Sequence, residues 1–268
     1  PPSATIELPG SKSLTQRALL AAALSAGTSS LTRILLADDT RLMIDALGSL
    51  GVNIEVDADR RTAIVHGGGG NWPNTDAEIF CGNAGTVMRL LTAACAIGHG
   101  EYRLDGSPRM RQRPIAPLVD ALRRLGALVE YQEQEGQCPL RVLARGLVGG
   151  ELHMTDLESS QFVSAILMAA PLAMQDGLIE IEGKLPSAPF VNITIAVMDH
   201  FGIGTVRDGQ SRFIVPAPQP YRAAPFDIEP DATAASYFFA AAALTGGRIT
   251  ASGLGKSSGQ GDLRFVEL

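Results

Sequence analysis

The 268-residue chain is 46% hydrophobic and carries a formal net charge of −6, so it can bury one large or two ordinary cores and disorder is not expected. Glycines interrupt its apolar blocks far below the ~20 residues of a membrane span, and its acidic balance argues against a general nucleic-acid-binding surface. Because the first residues resemble neither a signal nor a transit peptide, we expect a soluble, cytoplasmic protein.

A helix-forming pattern recurs four times along the chain. Each copy opens with small polar residues that can cap a helix, continues with about three turns of Ala- and Leu-rich sequence, and is followed by glycine. Because these helices are apolar on nearly every face, we expect all four to be buried. The copies occupy residues 12–22, 84–94, 160–170 and 231–241, at offsets of 72, 76 and 71 residues.

A second helix, ending at a Leu-Gly or Phe-Gly pair, follows in each of the first three units. These helices are predicted at residues 40–51, 115–126 and 193–202. Short β-rich runs with turn residues beside them complete each unit, so the sequence predicts repeated α/β units with two helices and several strands. The runs are residues 29–34, 53–56, 62–66, 101–104, 129–131, 178–181 and 212–215.

The fourth unit is shorter than the others. Its first helix is present, but the sequence stops at Leu268, within the stretch where its second helix is expected. A natural chain seldom ends where an amphipathic helix has begun without burying its apolar face. We therefore expect a truncated, split or incompletely recorded protein.

The first helix opening, Gly10-Ser11-Lys12-Ser13, offers free backbone N–H groups and the positive end of the helix dipole, which favour an anion. Arg17 lies one turn further on the same face. Lys12, Ser13 and Arg17 therefore form a candidate anion site. The alternative is that Ser13 is only a cap and the two cations are surface residues. The Walker A pattern of nucleotide-binding loops is not spelled here.

The second and third openings also carry ligand-binding chemistry. Residues 82–86 contain two glycines that let a ligand approach the backbone, and Arg89 follows one turn later, where a structural salt bridge is the alternative explanation. Three hydrogen-bonding side chains, Ser159, Ser160 and Gln161, open the third helix, although one cap would suffice. If the repeats direct these openings at one centre, they suit a polyanionic, hydroxylated small molecule.

An arginine cluster stands out in this acidic chain. Arg103, Arg109, Arg111 and Arg113 fall within eleven residues. Such a run indicates either a solvated loop or an anionic ligand, and the sequence leaves both open.

Cysteine and histidine spacings point to no metal centre. Cys81, Cys95 and Cys138 are odd in number and widely spaced, so we expect buried, reduced thiols. None of the four histidines forms a zinc-binding pair, and no metal site is predicted.

Six motifs stand in chain order: Leu8-Pro9-Gly10-Ser11-Lys12-Ser13 with Arg17; Gly82-Asn83-Ala84-Gly85-Thr86 with Arg89; Pro108-Arg109-Met110 with Arg113-Pro114-Ile115; Ser159-Ser160-Gln161-Phe162; Asp231 with Ser236-Tyr237-Phe238; and Gln260-Gly261-Asp262. In order and spacing they resemble the motifs of the 5-enolpyruvylshikimate-3-phosphate (EPSP) synthase family. The resemblance covers the whole chain, and six ordered motifs are far more specific than any one of them.

The resemblance implies a two-domain, inside-out α/β barrel built from repeated βαβαββ units, with substrates in the cleft between the domains. Residues 11–230 would form a complete three-repeat domain. Residues 1–10 with 231–268 would form an incomplete part of the other domain, whose second half is missing. The two crossovers, near residues 10 and 230, would be the hinge.

The implied reaction transfers the enolpyruvyl group of phosphoenolpyruvate to the 5-hydroxyl of shikimate 3-phosphate, giving EPSP and phosphate in the shikimate pathway. Neither a metal nor an organic cofactor is implied. The expected partners are the two substrates and, if the protein is split, a complementary C-terminal chain, with no nucleic acid or membrane.

The resemblance also implies roles for individual residues. Lys12 would touch both substrates and is the one acid/base candidate in this chain, while the family's principal carboxylate acid/base residues lie beyond Leu268. Asn83 and Arg113 would be supports. The implied shikimate 3-phosphate contacts are Lys12, Ser13, Arg17, Ser159, Ser160, Gln161 and Ser187. The implied phosphoenolpyruvate contacts are Lys12, Gly85, Arg109 and Gln161.

Two positions depart from the family pattern. Phe190 stands where we expect Tyr, which removes a hydroxyl near the shikimate ring, and Leu90 stands where many glyphosate-sensitive relatives carry Pro. Glyphosate sensitivity is therefore left open, although Gly85 keeps the small residue that the herbicide needs.

Two alternatives stand beside the EPSP synthase interpretation. The UDP-N-acetylglucosamine enolpyruvyl transferase of the same fold usually carries a reactive Cys in the loop that is Gly106–Pro114 here, and this loop has none. The second alternative is a substrate-binding half that is inactive by itself and needs a complementary chain.

Overall fold

Three α/β units follow one another in the computed structural model, which describes residues 3–209 and 211–267, and a fourth unit begins after them. The helices are α1 Lys12–Leu24, α2 Asp38–Ser49, α3 Gly85–Ile97, α4 Ala116–Arg124, α5 Ser160–Ala169, α6 Ala188–His200 and α7 Ala232–Thr245. The strands are β1 Ser3–Glu7, β2 Ser25–Thr32, β3 Asn53–Asp57, β4 Thr62–Gly68, β5 Asp76–Phe80, β6 His99–Asp105, β7 Leu128–Tyr131, β8 Leu140–Arg145, β9 Gly150–Met154, β10 Gly177–Ile181, β11 Val206–Asp208, β12 Arg212–Val215, β13 Tyr221–Arg222, β14 Phe226–Asp227 and β15 Arg248–Ser252.

The second and third units share one topology. Their sheets run β5-β6-β8-β7 and β9-β10-β12-β11, with the first pair parallel and the later pairs antiparallel. In chain order each unit reads βαβαββ, as a parallel pair joined through a helix requires. This arrangement confirms the predicted repeated α/β units, although the strands β5, β8, β9 and β11 were not among the predicted runs.

The first unit takes its first strand from the far end of the region. β13 and β14, which follow the third unit, pair in parallel with β2, so the sheet runs β13-β2-β4-β3 in the same order as the others. We call residues 11–230 the three-unit region.

The fourth unit takes its first strand from the start of the chain. β1 pairs in parallel with β15, and α7 precedes β15 in sequence. We call residues 3–10 and 231–267 the partial unit. The chain therefore passes between the two regions twice, at Gly10 and Pro230, which form an isolated antiparallel bridge.

The inner helices of the three units are the most deeply buried. In α1, α3 and α5 almost every residue is buried, as predicted, and these helices lie at the centre of the core. The strands around them alternate between buried and exposed residues, so each sheet turns one face to the helices and one to solvent.

The prediction that the fourth helix is also buried was wrong. Only Ala232 and Ala235 of α7 are buried, and Leu244 is 88% exposed. Its main neighbours are β15 and the terminal 3₁₀ segment Gly261–Glu267, which cannot cover an apolar helix on all sides.

All three cysteines are buried free thiols, as expected. Burial raises the pKa of the thiols of Cys81, Cys95 and Cys138 above its ordinary value. No helix in the described part of the chain is long and apolar enough to cross a membrane.

Candidate functional site

Lys12 stands at the opening of α1, where its ammonium group and its backbone N–H each contact a carboxylate. Its Nζ lies 3.0 Å from Asp39 Oδ2 in the first turn of α2, and its backbone N–H donates to Asp231 Oδ2 at 3.0 Å. The other oxygen of Asp231 caps α7 by accepting from the backbone N–H of Ala234 at 3.0 Å. The lysine side chain is half exposed, so an anionic ligand can compete with Asp39 for Nζ.

Arg17 is 1% exposed and contacts only neutral groups in the described structure. Its Nη1 donates to the carbonyl oxygen of Ser13 at 3.0 Å, and its Nε donates to Thr194 Oγ1 at 2.7 Å. Burial lowers the pKa of its guanidinium to about 10, so the group still carries its charge at neutral pH. The surface-residue alternative for Arg17 was wrong.

Arg89 repeats this arrangement in α3. It is 3% exposed, and its Nη1 donates to the carbonyl oxygen of Gly85, four residues earlier, at 3.1 Å. Its Nη2 donates to Pro114 O at 2.8 Å and its guanidinium lies 5.7 Å from the centre of the Phe162 ring. Burial, and then the charge of Arg113, lower its pKa to about 10.

The structural salt bridge considered for Arg89 was therefore wrong: among the described residues no carboxylate pairs with Arg89 or Arg17. Two buried cations without an acidic partner stand at equivalent places of two repeats. Because water is largely excluded from both guanidinium groups, their attraction for an added anion is screened less than that of a surface cation.

Gly85, at the opening of α3, allows close approach of Arg113. A Cβ at this position would lie 2.5 Å from Arg113 Nη2, and Arg113 Nη1 donates to the carbonyl oxygen of Asn83 at 3.3 Å. Arg113 thus lies directly over the glycine-containing turn, whereas the side chain of Asn83 is exposed.

The arginine cluster divides between two environments. Arg103 pairs with Asp76 at 3.1 Å, and Arg111 pairs with Asp105 and with Glu133, the latter at 2.7 Å. Arg109 is exposed, and its Nη1 donates to Gln112 Oε1 at 3.1 Å. Of the four arginines, the structure brings Arg113 to Gly85, whereas Arg109 contacts its own loop.

The opening of α5 is linked to that of α3. Ser159 caps α5 by accepting from the backbone N–H of Gln161 at 3.2 Å, and Ser160 is buried. The Nε2 of Gln161 donates to Thr86 Oγ1 at 3.1 Å, across 75 residues of sequence. This bond shows that the openings of α3 and α5 lie together, which the sequence left open.

Ser187 and Phe190 lie at the opening of α6. Ser187 is exposed and adopts left-handed backbone angles, with φ 50° and ψ 41°. A narrow crevice beside it joins the two regions: Ser13 and Phe190 line it from the three-unit region, and Gln260 and Asp262 line it from the partial unit.

Sequence reasoning missed several polar partners of the site. Asp39 engages Lys12, and Thr194 and Ser164 contact Arg17. The sequence signal for the last two is a hydroxyl residue with an apolar neighbour on each side. In the described residues, no three His, Cys, Asp or Glu side chains come together so that they could hold a metal ion.

Comparison with known proteins gives a consistent result. The family model "EPSP synthase (3-phosphoshikimate 1-carboxyvinyltransferase)" matches residues 1–268. The 3-phosphoshikimate 1-carboxyvinyltransferase of Vibrio vulnificus is 49% identical over 264 residues, covering 98% of this chain and 62% of the relative. That of a Sulfurovum species is 48% identical over 265 residues, again covering 98% and 62%.

The fold is similar to that of a solved EPSP synthase from Acinetobacter baumannii. The TM-score is 0.83 at 22% identity, with 95% of this chain and 56% of the solved chain covered. The chain thus spans about 62% of the length of the relatives that it matches.

Proposed function

Because the chain belongs to the EPSP synthase family, we propose that it binds shikimate 3-phosphate and phosphoenolpyruvate and takes part in enolpyruvyl transfer between them. In this reaction the methylene carbon of the enol gains a proton, and the 5-hydroxyl loses its proton and adds to C2. Phosphate then leaves the tetrahedral intermediate, and its methyl group loses a proton, which restores the carbon–carbon double bond of the enolpyruvyl group. One observation carries the proposal: two buried, charged arginines, for which the described residues supply no carboxylate partner, stand behind two helix openings.

We assign shikimate 3-phosphate to the openings of α1, α5 and α6. Arg17 and the α1 N-terminus supply positive potential for a phosphate or carboxylate, and serine hydroxyls can bond the hydroxyls of the ring. Phe190 offers its ring and backbone there, and no hydroxyl. The proposed contacts are Lys12, Ser13, Arg17, Ser159, Ser160, Gln161 and Ser187.

We assign phosphoenolpyruvate to the opening of α3. Gly85 has no Cβ and so lets the Arg113 guanidinium lie against the turn, where it can meet an anion, and Gln161 bonds Thr86 beside it. This assignment gives Arg113 the role that the sequence implied for Arg109, because Arg109 contacts Gln112 instead. Asn83 supports the turn through its carbonyl oxygen.

Lys12 is the proposed acid/base group within this chain. It stands between the α1 opening and Asp39, so its Nζ can exchange the carboxylate for a ligand phosphate or carboxylate. Neither metal nor organic cofactor enters this proposal. Further acid/base groups would come from the part of the relatives' length that this chain does not span.

We propose that the two regions described above are two domains. Residues 11–230 would be a complete domain with its helices inside and its sheets outside, as in an inside-out barrel. Residues 1–10 and 231–268 would belong to the second domain, although residues 1, 2 and 268 lie outside the described part. The crossovers at Gly10 and Pro230 would be the hinge, and the odd number of buried thiols suits the cytoplasm.

A second candidate is that this chain is a binding half that needs a complementary polypeptide. The exposure of α7 favours it, because Tyr237, Phe238 and Leu244 present apolar surface that a further set of elements could cover. This candidate and the first share the same substrate contacts.

Phosphate release from phosphoenolpyruvate plus shikimate 3-phosphate separates the two candidates. We expect the 268-residue chain to release phosphate only when a polypeptide covering the rest of the relatives' length is added. Release by the chain alone would rule out the second candidate and would show that its acid/base groups are sufficient.

Matched arginine substitutions test the phosphoenolpyruvate assignment. Arg113→Met should weaken phosphoenolpyruvate binding about tenfold or more in the presence of shikimate 3-phosphate, since a charged hydrogen bond is lost. Arg109→Met, in the same loop, should change binding less than about twofold. The reverse pattern, measured by titration calorimetry, would return the role to Arg109.

A further inference from the structure

Arg17 is enclosed by a set of neutral acceptors from three different helices. Besides Ser13 O in α1, its guanidinium contacts Thr194 Oγ1 in α6 at 2.7 Å and Ser164 Oγ in α5 at 3.4 Å. The carbonyl oxygen of Phe190 lies 3.4 Å from Nη2. Thr194 and Ser164 are themselves fully buried, so water does not compete for these bonds.

Thr194 is the centre of this arrangement. Its Oγ1 accepts from Arg17 Nε and lies 2.8 Å from both Ser164 Oγ and Phe190 O. A hydroxyl has one proton and two lone pairs, and a carbonyl oxygen can only accept. The pattern that uses every group has Thr194 donating to Phe190 O, while Ser164 donates to Thr194 and accepts from Arg17 Nη2.

This pattern engages all three nitrogens of the guanidinium and leaves one N–H of Nη1 without a described acceptor. A guanidinium has five N–H donors, and the described contacts engage Nε, Nη2 and one N–H of Nη1. The Nη1 edge lies against Ser13, which lines the crevice at the α1 opening together with Phe190. The charge is held close to the opening, and no carboxylate of the described residues pairs with it.

We propose that Thr194 is a positioning residue that holds the Arg17 guanidinium behind the α1 opening, where the positive charge of Arg17 attracts an anionic substrate. Ser164 assists by bonding both members of the pair. The proposal deepens the proposed function and rests on it for the identity of the natural ligand, whereas the arrangement predicts attraction for any small oxyanion at this opening.

The design compares three threonine variants. Thr194→Val keeps the shape and removes the acceptor, and Thr194→Ser keeps the hydroxyl. The matched control is Thr92→Val in α3, because Thr92 is also fully buried and also donates to the carbonyl four residues earlier, Met88 O, at 2.7 Å. Within the described structure Thr92 bonds Met88 and no arginine, so the control measures the general effect of losing a buried threonine hydroxyl.

Three measurements on the 268-residue chain test the positioning role of Thr194. They are the affinities for shikimate 3-phosphate and for inorganic phosphate by calorimetry, the exchange rate of the Arg17 Nε–H by NMR, and urea unfolding as a check on folding. We expect Thr194→Val to weaken oxyanion binding about tenfold and to speed Nε–H exchange, since a charge-assisted bond is lost. Thr194→Ser and Thr92→Val should stay within about twofold of the wild type.

The outcomes separate this proposal from the proposed function. Equal affinity in the wild type and Thr194→Val overturns the positioning role and leaves the proposed function standing. Binding of inorganic phosphate but not of shikimate 3-phosphate, with loss in Thr194→Val, overturns the proposed function and supports the positioning role. A wild type that binds neither ligand overturns both, and equal losses in Thr194→Val and Thr92→Val reduce Thr194 to a structural residue.

Discussion

α1 and α7 have nearly the same kind of sequence and opposite surroundings. α1 reads KSLTQRALLAAAL and eleven of its thirteen residues are buried, whereas α7 reads ATAASYFFAAAALT and two of its fourteen residues are buried. α1 packs against α2, α6 and β4, while α7 has β15 and the terminal 3₁₀ segment as its main neighbours. An apolar sequence therefore does not by itself determine whether a helix is buried. Burial depends on how many other helices and strands pack against it.

The largest contrast between the two helices should come from matched leucine substitutions. Leu19 in α1 is fully buried and Leu244 in α7 is 88% exposed. Leu19→Ala should lower the free energy of unfolding by about 2–5 kcal/mol, because it leaves a cavity in the core. Leu244→Ala should change it by less than about 0.5 kcal/mol.

Urea unfolding followed by circular dichroism measures both values. Similar losses for the two variants would mean that α7 is covered in solution, for instance by a second copy of the chain. Repeating the measurement at several protein concentrations would detect such an association.

A smaller effect is expected where the two helices meet. Asp231 accepts from the backbone N–H of Ala234 at the start of α7 and from that of Lys12 at the start of α1. Asp231→Ala removes both bonds and should lower the free energy of unfolding by about 1–2 kcal/mol. Hydrogen exchange at both amides should become faster.

Asp231→Asn is the control for this substitution, since asparagine is also a good helix cap but has one carbonyl oxygen in place of two carboxylate oxygens. We expect it to protect one of the two amides and to lose protection at the other. Unchanged exchange at Lys12 in Asp231→Ala would contradict the link between the regions.

The smallest effect on stability should come from the surface of α7. Tyr237→Lys with Leu244→Lys places charges at two of the most exposed apolar positions, 75% and 88% exposed. The free energy of unfolding should stay within about 0.5 kcal/mol, while binding of an apolar fluorescent dye should fall severalfold because the patch is interrupted. Dye binding equal to that of the wild type would place the accessible apolar surface elsewhere.

The repeat made much of the fold predictable from sequence. Apolar periodicity and glycine stops located the inner helices and the second helix of each unit, because both signals are local. The strands β13 and β14 were missed, since each has two residues and exists only by pairing with β2, far away in sequence. The prediction that α7 is buried was wrong for a related reason: the local sequence of a helix does not show how many other elements pack against it.

The sequence predicted which residue types form the candidate site better than it predicted which residues contact one another there. The motif positions identified the glycine turn, Arg17 and Arg89 as candidate ligand groups, whereas the burial of the two arginines came from the structure. The choice between Arg109 and Arg113 depends on how a loop folds over Gly85, and the pairing of Lys12 with Asp39 joins two helices. Such contacts between elements are absent from the local pattern, so they had to come from the structure.

The buried cysteines make this chain convenient for optical measurements. Cys81, Cys95 and Cys138 are enclosed, and a raised pKa keeps their thiols in the unreactive protonated form. A cysteine introduced at an exposed position such as Leu244 would therefore react with a maleimide dye far faster than the native ones. A second cysteine at Phe80, on an exposed edge of the three-unit region, would carry a second dye. Energy transfer between the two dyes would then report the distance between the two regions, and the three native cysteines would not need to be replaced.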